Sequence, residues 1–144
     1  MSQLRWDAIW RAAISVSLFL IPIGILQRVL IDNGTIDKGG PAALIGSALI
    51  LTLGAVAGFG AAKLARSHVL PNGAAAAALA YLIAQAAGIL RRAIMGGTIP
   101  SIVTIAYLAL LMATCGMLGA ALERRSRALR EPVNQPETNQ PETD

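Results

Sequence analysis

The feature that most constrains this chain is an uncharged run from Ala42 to Ala62, which reads AALIGSALILTLGAVAGFGAA. A helix of about 20 apolar residues is long enough to cross the hydrocarbon core of a bilayer. The run therefore predicts a membrane span, and every other segment has to be compatible with a membrane protein.

Composition and further apolar runs extend this prediction to the whole chain. Of the 144 residues, 55% are hydrophobic and only 14% are charged, which is too apolar for an ordinary soluble domain. We predict an all-α polytopic membrane protein, with a four-helix transmembrane domain over residues 1–130. Its spans are predicted at about residues 8–30, 42–62, 70–90 and 99–122. The remaining residues, 131–144, repeat NQPET and predict a disordered cytoplasmic tail.

Small residues at helical spacing predict where the helices pack. Gly54, Gly58 and Ala62 follow one another at intervals of four residues in the second span, and Gly116 and Ala120 do so in the fourth. A helix face without large side chains lets a second helix approach its backbone closely. We expect packing at both faces, and the sequence leaves open whether the partner lies in the same chain or in a second copy.

The chain also suggests a duplication of two helical hairpins. The first span ends in ILQRVL and the third in ILRRAI, and each is followed by a glycine pair and a proline. The second and fourth spans both end in small residues followed by basic ones. Such a repeat would relate the hairpins by an axis along the membrane normal, an arrangement known in transport proteins.

The predicted spans contain no residue set typical of catalysis or of metal binding. No Asp or Glu lies within them, which counts against a proton-coupled antiporter. The single histidine, His68, lies in a loop without ligands spaced to complete a metal site. The net charge is +4, but the basic residues gather at the ends of the spans instead of forming a patch. We therefore expect no enzymatic activity, no cofactor and no nucleic-acid partner.

Two polar features remain as candidates for a function. Gln85 and Tyr107 are both predicted about 10 Å beneath the outer surface, where they could bond to each other, with Tyr81 as the competing partner of Gln85. The second feature is a basic cluster at the outer ends of the first and third spans, formed by Arg28, Arg91 and Arg92. These arginines could snorkel to lipid phosphates or could contact an anionic headgroup or solute.

One long stretch carries a resemblance to known proteins. LPNGAAAAALAYLIAQAAGILRRAIMGG, taken with the RWDAIWRAA start and the glycine-rich ends of the second and fourth spans, resembles small four-span bacterial integral membrane proteins of unassigned function. This resemblance implies a bacterial plasma-membrane location. It implies no catalytic or binding residue.

Two hypotheses for the function follow. The first is a non-enzymatic structural or accessory subunit, which would pack through its small-residue faces in a homo-oligomer or a larger membrane complex. The alternative is a small transporter or lipid-handling protein for an anionic solute or headgroup. Membrane lipids are partners under both hypotheses.

The distribution of basic residues predicts the orientation. With the amino terminus inside, the cytoplasmic side would hold eight of the 12 Lys and Arg residues and the outer side the other four, namely Arg28, Lys38, Arg91 and Arg92. An excess of Lys and Arg marks cytoplasmic loops. We expect reporter fusions to place Asp144 in the cytoplasm and the loop around Asn33 outside; an external carboxyl terminus would contradict the four-span prediction.

Overall fold

The computed structural model describes residues 5–65, 68–96 and 100–130, and these residues form four long α-helices without any strand. The helices are α1 (Trp6–Asp32), α2 (Pro41–Leu64), α3 (Val69–Met95) and α4 (Ile102–Arg130). Each is long and apolar enough to cross a membrane, so the predicted all-α architecture with four spans is confirmed. Three sequence-based predictions lie outside the described residues: the disordered tail, the start of the fourth span at 99, and the position of Arg66.

The helices are arranged around a central pair, α2 and α3. Each of these two contacts every other helix, whereas α1 and α4 do not contact each other among the described residues. We call the end of the bundle with Trp6, Leu64 and Val69 the N side. The opposite end, with Asp32 and Pro41, is called the far side.

Because α1 and α4 do not contact each other among the described residues, the bundle lacks the symmetry that a hairpin repeat would produce. A twofold axis that exchanges the two hairpins would turn the contact between α2 and α3 into an equal contact between α4 and α1. The described residues form the first contact and not the second. The four helices therefore do not have the symmetry expected for two repeated hairpins related by an axis along the membrane normal.

At the centre of the bundle three glycines contact one another: Gly58 of α2, Gly73 of α3 and Gly116 of α4. A Cβ atom added to Gly58 would overlap the backbone of Gly116, and one added to Gly73 would lie 2.9 Å from the carbonyl oxygen of Gly116 and 3.2 Å from that of Gly58. No side chain larger than hydrogen fits at such distances. We call these residues the glycine seam; it lets the three backbones touch and gain close dispersion contacts.

The other residues predicted for helix packing are also buried between the helices. Gly54, Ala62 and Ala120 are all buried, and a Cβ atom on Gly54 would lie 2.8 Å from Cε of Met112. Both predicted small-residue faces thus meet inside one chain. The glycines of these faces form intramolecular contacts.

Burial is strongly unequal between the two halves of the bundle. All buried positions of α1 precede Pro22, those of α3 end at Tyr81, and those of α4 begin at Met112. Beyond the level of Leu20, Tyr81 and Met112 toward the far side, Ala43 is the one buried residue among those described in the four helices. The bundle is therefore packed tightly in its N-side half and is open in its far half.

The seam makes a specific prediction about glycine substitutions. Gly58→Ala should lower the free energy of unfolding by about 3 kcal/mol, the upper end of the usual cost of overpacking, because backbone atoms cannot move aside as a side chain can. Gly60→Ala is the matched control, since its Cβ would lie 3.9 Å from Ala12, an ordinary contact. Denaturant titration in detergent would compare them, and equal stability of the two variants would show that Gly58 is not a close contact.

Candidate anion-binding cleft

A cleft of about 130 Å³ lies in the open half of the bundle, where α1, α2 and α3 separate. Leu20, Ile21 and Ile25 of α1, Ile50 of α2 and Ala84 of α3 form its apolar walls. Its polar lining consists of Arg28, Tyr81, Gln85, Arg91 and Arg92. The cleft thus has an apolar body and a basic end on the far side.

The structure brings together the three arginines predicted as a basic cluster. Arg28 reaches the cleft from α1, and Arg91 and Arg92 reach it from α3, so residues far apart in sequence share one site. Arg28 donates from Nε to Oδ2 of Asp32 at 3.2 Å and forms an ion pair with this carboxylate. Among the described residues, neither Arg91 nor Arg92 forms an ion pair. The site therefore carries an excess of positive charge.

The polar pair inside the cleft is Gln85 with Tyr81, not Gln85 with Tyr107. Gln85 Nε2 donates to Tyr81 Oη at 2.7 Å, one helical turn earlier on α3. Tyr107 is 65% exposed and lies on α4, which contributes no residue to the cleft lining. Gln85 and Tyr107 lie at a similar depth, but they do not pair because their side chains lie on different sides of the bundle.

This pair has hydrogen-bonding capacity beyond the bond that it makes. A phenol has one O–H donor and a primary amide has two N–H donors. The bond between Tyr81 and Gln85 uses one of the three, whichever way the amide is turned. Two donors remain on residues that line the cleft, and the described protein atoms offer them no further acceptor.

Two glycines keep the cleft open. Gly24 of α1 and Gly88 of α3 both line it, and a Cβ atom on either would meet nothing within 4 Å. At the glycine seam, by contrast, backbone atoms occupy the space that a Cβ atom would need. Sequence inspection alone does not separate these two kinds of glycine, since both occur in apolar helices.

Several residues that organise the bundle were not singled out from the sequence. Gln27 joins α1 to α2 on the far side by donating to the carbonyl oxygen of Ala43 at 3.0 Å. Glu123 is only 7% exposed; Arg127 contacts it at 3.0 Å and also donates to the Ala62 carbonyl at the end of α2. The spacing of Glu123 and Arg127, four residues apart on a helix, was the available signal.

Asn72 has a comparable role at the start of α3. It is fully buried, its Nδ2 donates to the His68 carbonyl at 3.0 Å, and its Oδ1 accepts from the Arg5 backbone N–H at 3.2 Å. His68 itself is exposed, as predicted, and takes a left-handed backbone conformation with φ of 50°. These polar residues fix helix ends on the N side and do not take part in the cleft.

Comparisons of the chain with protein families, with curated proteins and with solved structures found no match. The bacterial origin implied by the resemblance stays a prediction.

Because Gly88 borders open space, a larger side chain at this position should fill part of the cleft without disturbing the fold. A Cβ atom at Gly88 meets nothing within 4 Å, and Gly88→Leu also replaces a poor helix former, so the free energy of unfolding should change by less than about 1 kcal/mol. Ala86→Leu, at an exposed position of α3 outside the cleft, is the control for added bulk. If thermal unfolding in detergent shows that only Gly88→Leu is strongly destabilised, the cleft is closed in solution.

Proposed function

We propose that this protein is a non-enzymatic multi-pass membrane protein that binds an anionic group, a lipid headgroup or a solute, in the cleft of its far half. The observation that carries the proposal is the convergence of Arg28, Arg91 and Arg92 on one cleft from two helices that are distant in sequence. Snorkelling arginines that serve only as anchors need no common site, because each can reach the headgroup region on its own.

The electrostatics of the site favour an anion. Of the three guanidinium groups, only that of Arg28 has a carboxylate partner, Asp32, among the described ion pairs. Positive charges held close together repel one another, and the repulsion grows where apolar walls lower the local dielectric constant. A phosphate or carboxylate ligand would relieve this repulsion and could accept several charge-assisted hydrogen bonds from the guanidinium N–H groups.

The chemistry of the lining supports binding without catalysis. The groups that the cleft presents are guanidinium ions, a phenol and an amide. These groups recognise acceptors, but they do not form the pair of nucleophile and general base that covalent catalysis requires. Binding or passage of an anion is the function that such a lining supports.

We further propose that the protein resides in a bacterial plasma membrane with both termini in the cytoplasm. The bias of basic residues and the resemblance stated above support this location. In this orientation the cleft lies in the outer leaflet. The arginines that oppose the general charge bias, Arg28, Arg91 and Arg92, are then the three that line the cleft.

The hypothesis of an accessory subunit has the protein pack through its small-residue faces, and Gly58 and Gly116 contact each other within the chain. The lack of reactive groups, which favours that hypothesis, is equally compatible with a protein that binds an anion. The geometry therefore favours the alternative, an anion-binding or lipid-handling protein.

Removal of the positive charge should weaken the retention of anionic ligands. We expect the triple substitution Arg28→Gln, Arg91→Gln and Arg92→Gln to lower the amount of phosphatidylglycerol that copurifies with the protein by at least about tenfold, since the loss of even one charge-assisted hydrogen bond, worth about 1.5 kcal/mol, corresponds to about tenfold in affinity. Native mass spectrometry would count the bound lipids. Binding of inorganic phosphate to delipidated protein would be measured beside it to distinguish a lipid from a solute.

The matched control is the substitution of Arg124, Arg125 and Arg130 by Gln, which removes the same charge from exposed positions on the N side. Asp32→Asn gives a test in the opposite direction: it frees Arg28 from its carboxylate and should strengthen binding about two- to fivefold. Equal loss of ligand in both triple variants would show that the arginines of the cleft act only as general membrane anchors.

A further inference from the structure

The structure also points to the kind of ligand. We infer that the cleft binds a single anionic glycerolipid, whose headgroup contacts the arginines and whose ester carbonyl accepts a hydrogen bond from the pair of Tyr81 and Gln85. This inference rests on the proposed function and assigns to it a lipid instead of a free anion.

The order of the lining residues along the helix axis supports a lipid. Arg91 and Arg92 lie near the end of α3, Gln85 lies about 9 Å deeper, and Tyr81 lies about one further turn below. Apolar residues surround the deeper part, among them Leu20 and Ile50. A glycerolipid has the same order of groups, with an anionic headgroup above, ester carbonyls next and hydrocarbon below. A free phosphate would use only the basic end.

The unused donors of Tyr81 and Gln85 provide the second argument. Two donors remain after their mutual bond, at a depth where the membrane offers little water. A polar group without a partner in hydrocarbon costs several kcal/mol. A lipid ester carries carbonyl acceptors only a few bonds below its phosphate, so the group that holds the headgroup at the arginines also brings an acceptor to this depth.

The size of the cleft sets how much of the lipid enters. Its volume of about 130 Å³ is smaller than the roughly 300 Å³ at which sites for whole drug-sized ligands begin. It is therefore too small for a whole lipid, and only part of the molecule enters it. The rest of the lipid would remain in the bilayer, as the open form of the cleft beside Gly24 and Gly88 allows.

The experiment compares two lipids that differ in the carbonyl alone, diacyl phosphatidylglycerol and its dialkyl ether analogue. Each is titrated into delipidated protein in neutral detergent, with the wild type and with the double variant Tyr81→Phe/Gln85→Leu. Both substitutions keep the approximate shape of the side chain, and they remove all three donors together, so no buried donor is left without its partner. Glycerol 3-phosphate serves as the probe for a free anion.

We expect the wild type to bind the diacyl lipid about fivefold more tightly than the ether lipid, as the loss of one net hydrogen bond implies. The double variant should bind both lipids equally, at the affinity of the wild type for the ether lipid. Gly88→Leu should lower binding of both lipids, whereas Ala86→Leu should not. This pattern would support a lipid held by its carbonyl.

The outcomes that contradict the inference differ from those that contradict the proposed function. Equal affinity of the wild type for ester and ether lipids would show that the carbonyl is not recognised. Binding of glycerol 3-phosphate as tight as that of the lipid would identify a free anion as the ligand. In both cases a loss of binding in the triple arginine variant would leave the proposed function intact. Lipid binding that does not depend on these arginines would overturn the proposed function itself.

Discussion

The close contact of backbones at Gly58, Gly73 and Gly116 is the constraint on which the rest of this structure depends. In a bilayer the hydrophobic effect does not drive helices together, because lipid tails are as apolar as the side chains that they would replace. Association then requires close van der Waals packing, and three glycines at one level provide it for α2, α3 and α4. The seam fixes the central pair and the position of α4 beside it.

The position of the seam explains why the molecule has an open half. Small residues concentrate in the last part of α2, the first part of α3 and the last part of α4, and all these segments lie on the N side. On the far side, larger residues such as Ile50 and Ile25 line the cleft. The cleft is thus the consequence of an uneven distribution of small side chains, and Arg28, Arg91 and Arg92 lie at its mouth because they are at the helix ends of the open half.

The polar groups of the two halves have different roles. On the N side, Asn72, Glu123 and Arg127 are buried or half-buried and have protein partners, which ties helix ends together. In the cleft, Arg91 and Arg92 have no carboxylate among the described residues, and the pair of Tyr81 and Gln85 retains two donors. This difference between the two ends supports the proposal of a binding site at the second end.

The sequence by itself determined the four helices, because the length and apolarity of a span are local properties that a bilayer imposes on each segment separately. It also identified Gly58 and Gly116 as packing positions and the three arginines as a cluster, since helix ends place basic residues at similar depths. Only the tertiary structure decided that the two glycines meet within one chain, that Gln85 pairs with Tyr81, and that Tyr107 faces away from the cleft. Depth along a helix can be read from residue number, but rotation about the helix axis and the choice of neighbour depend on how all four helices pack together.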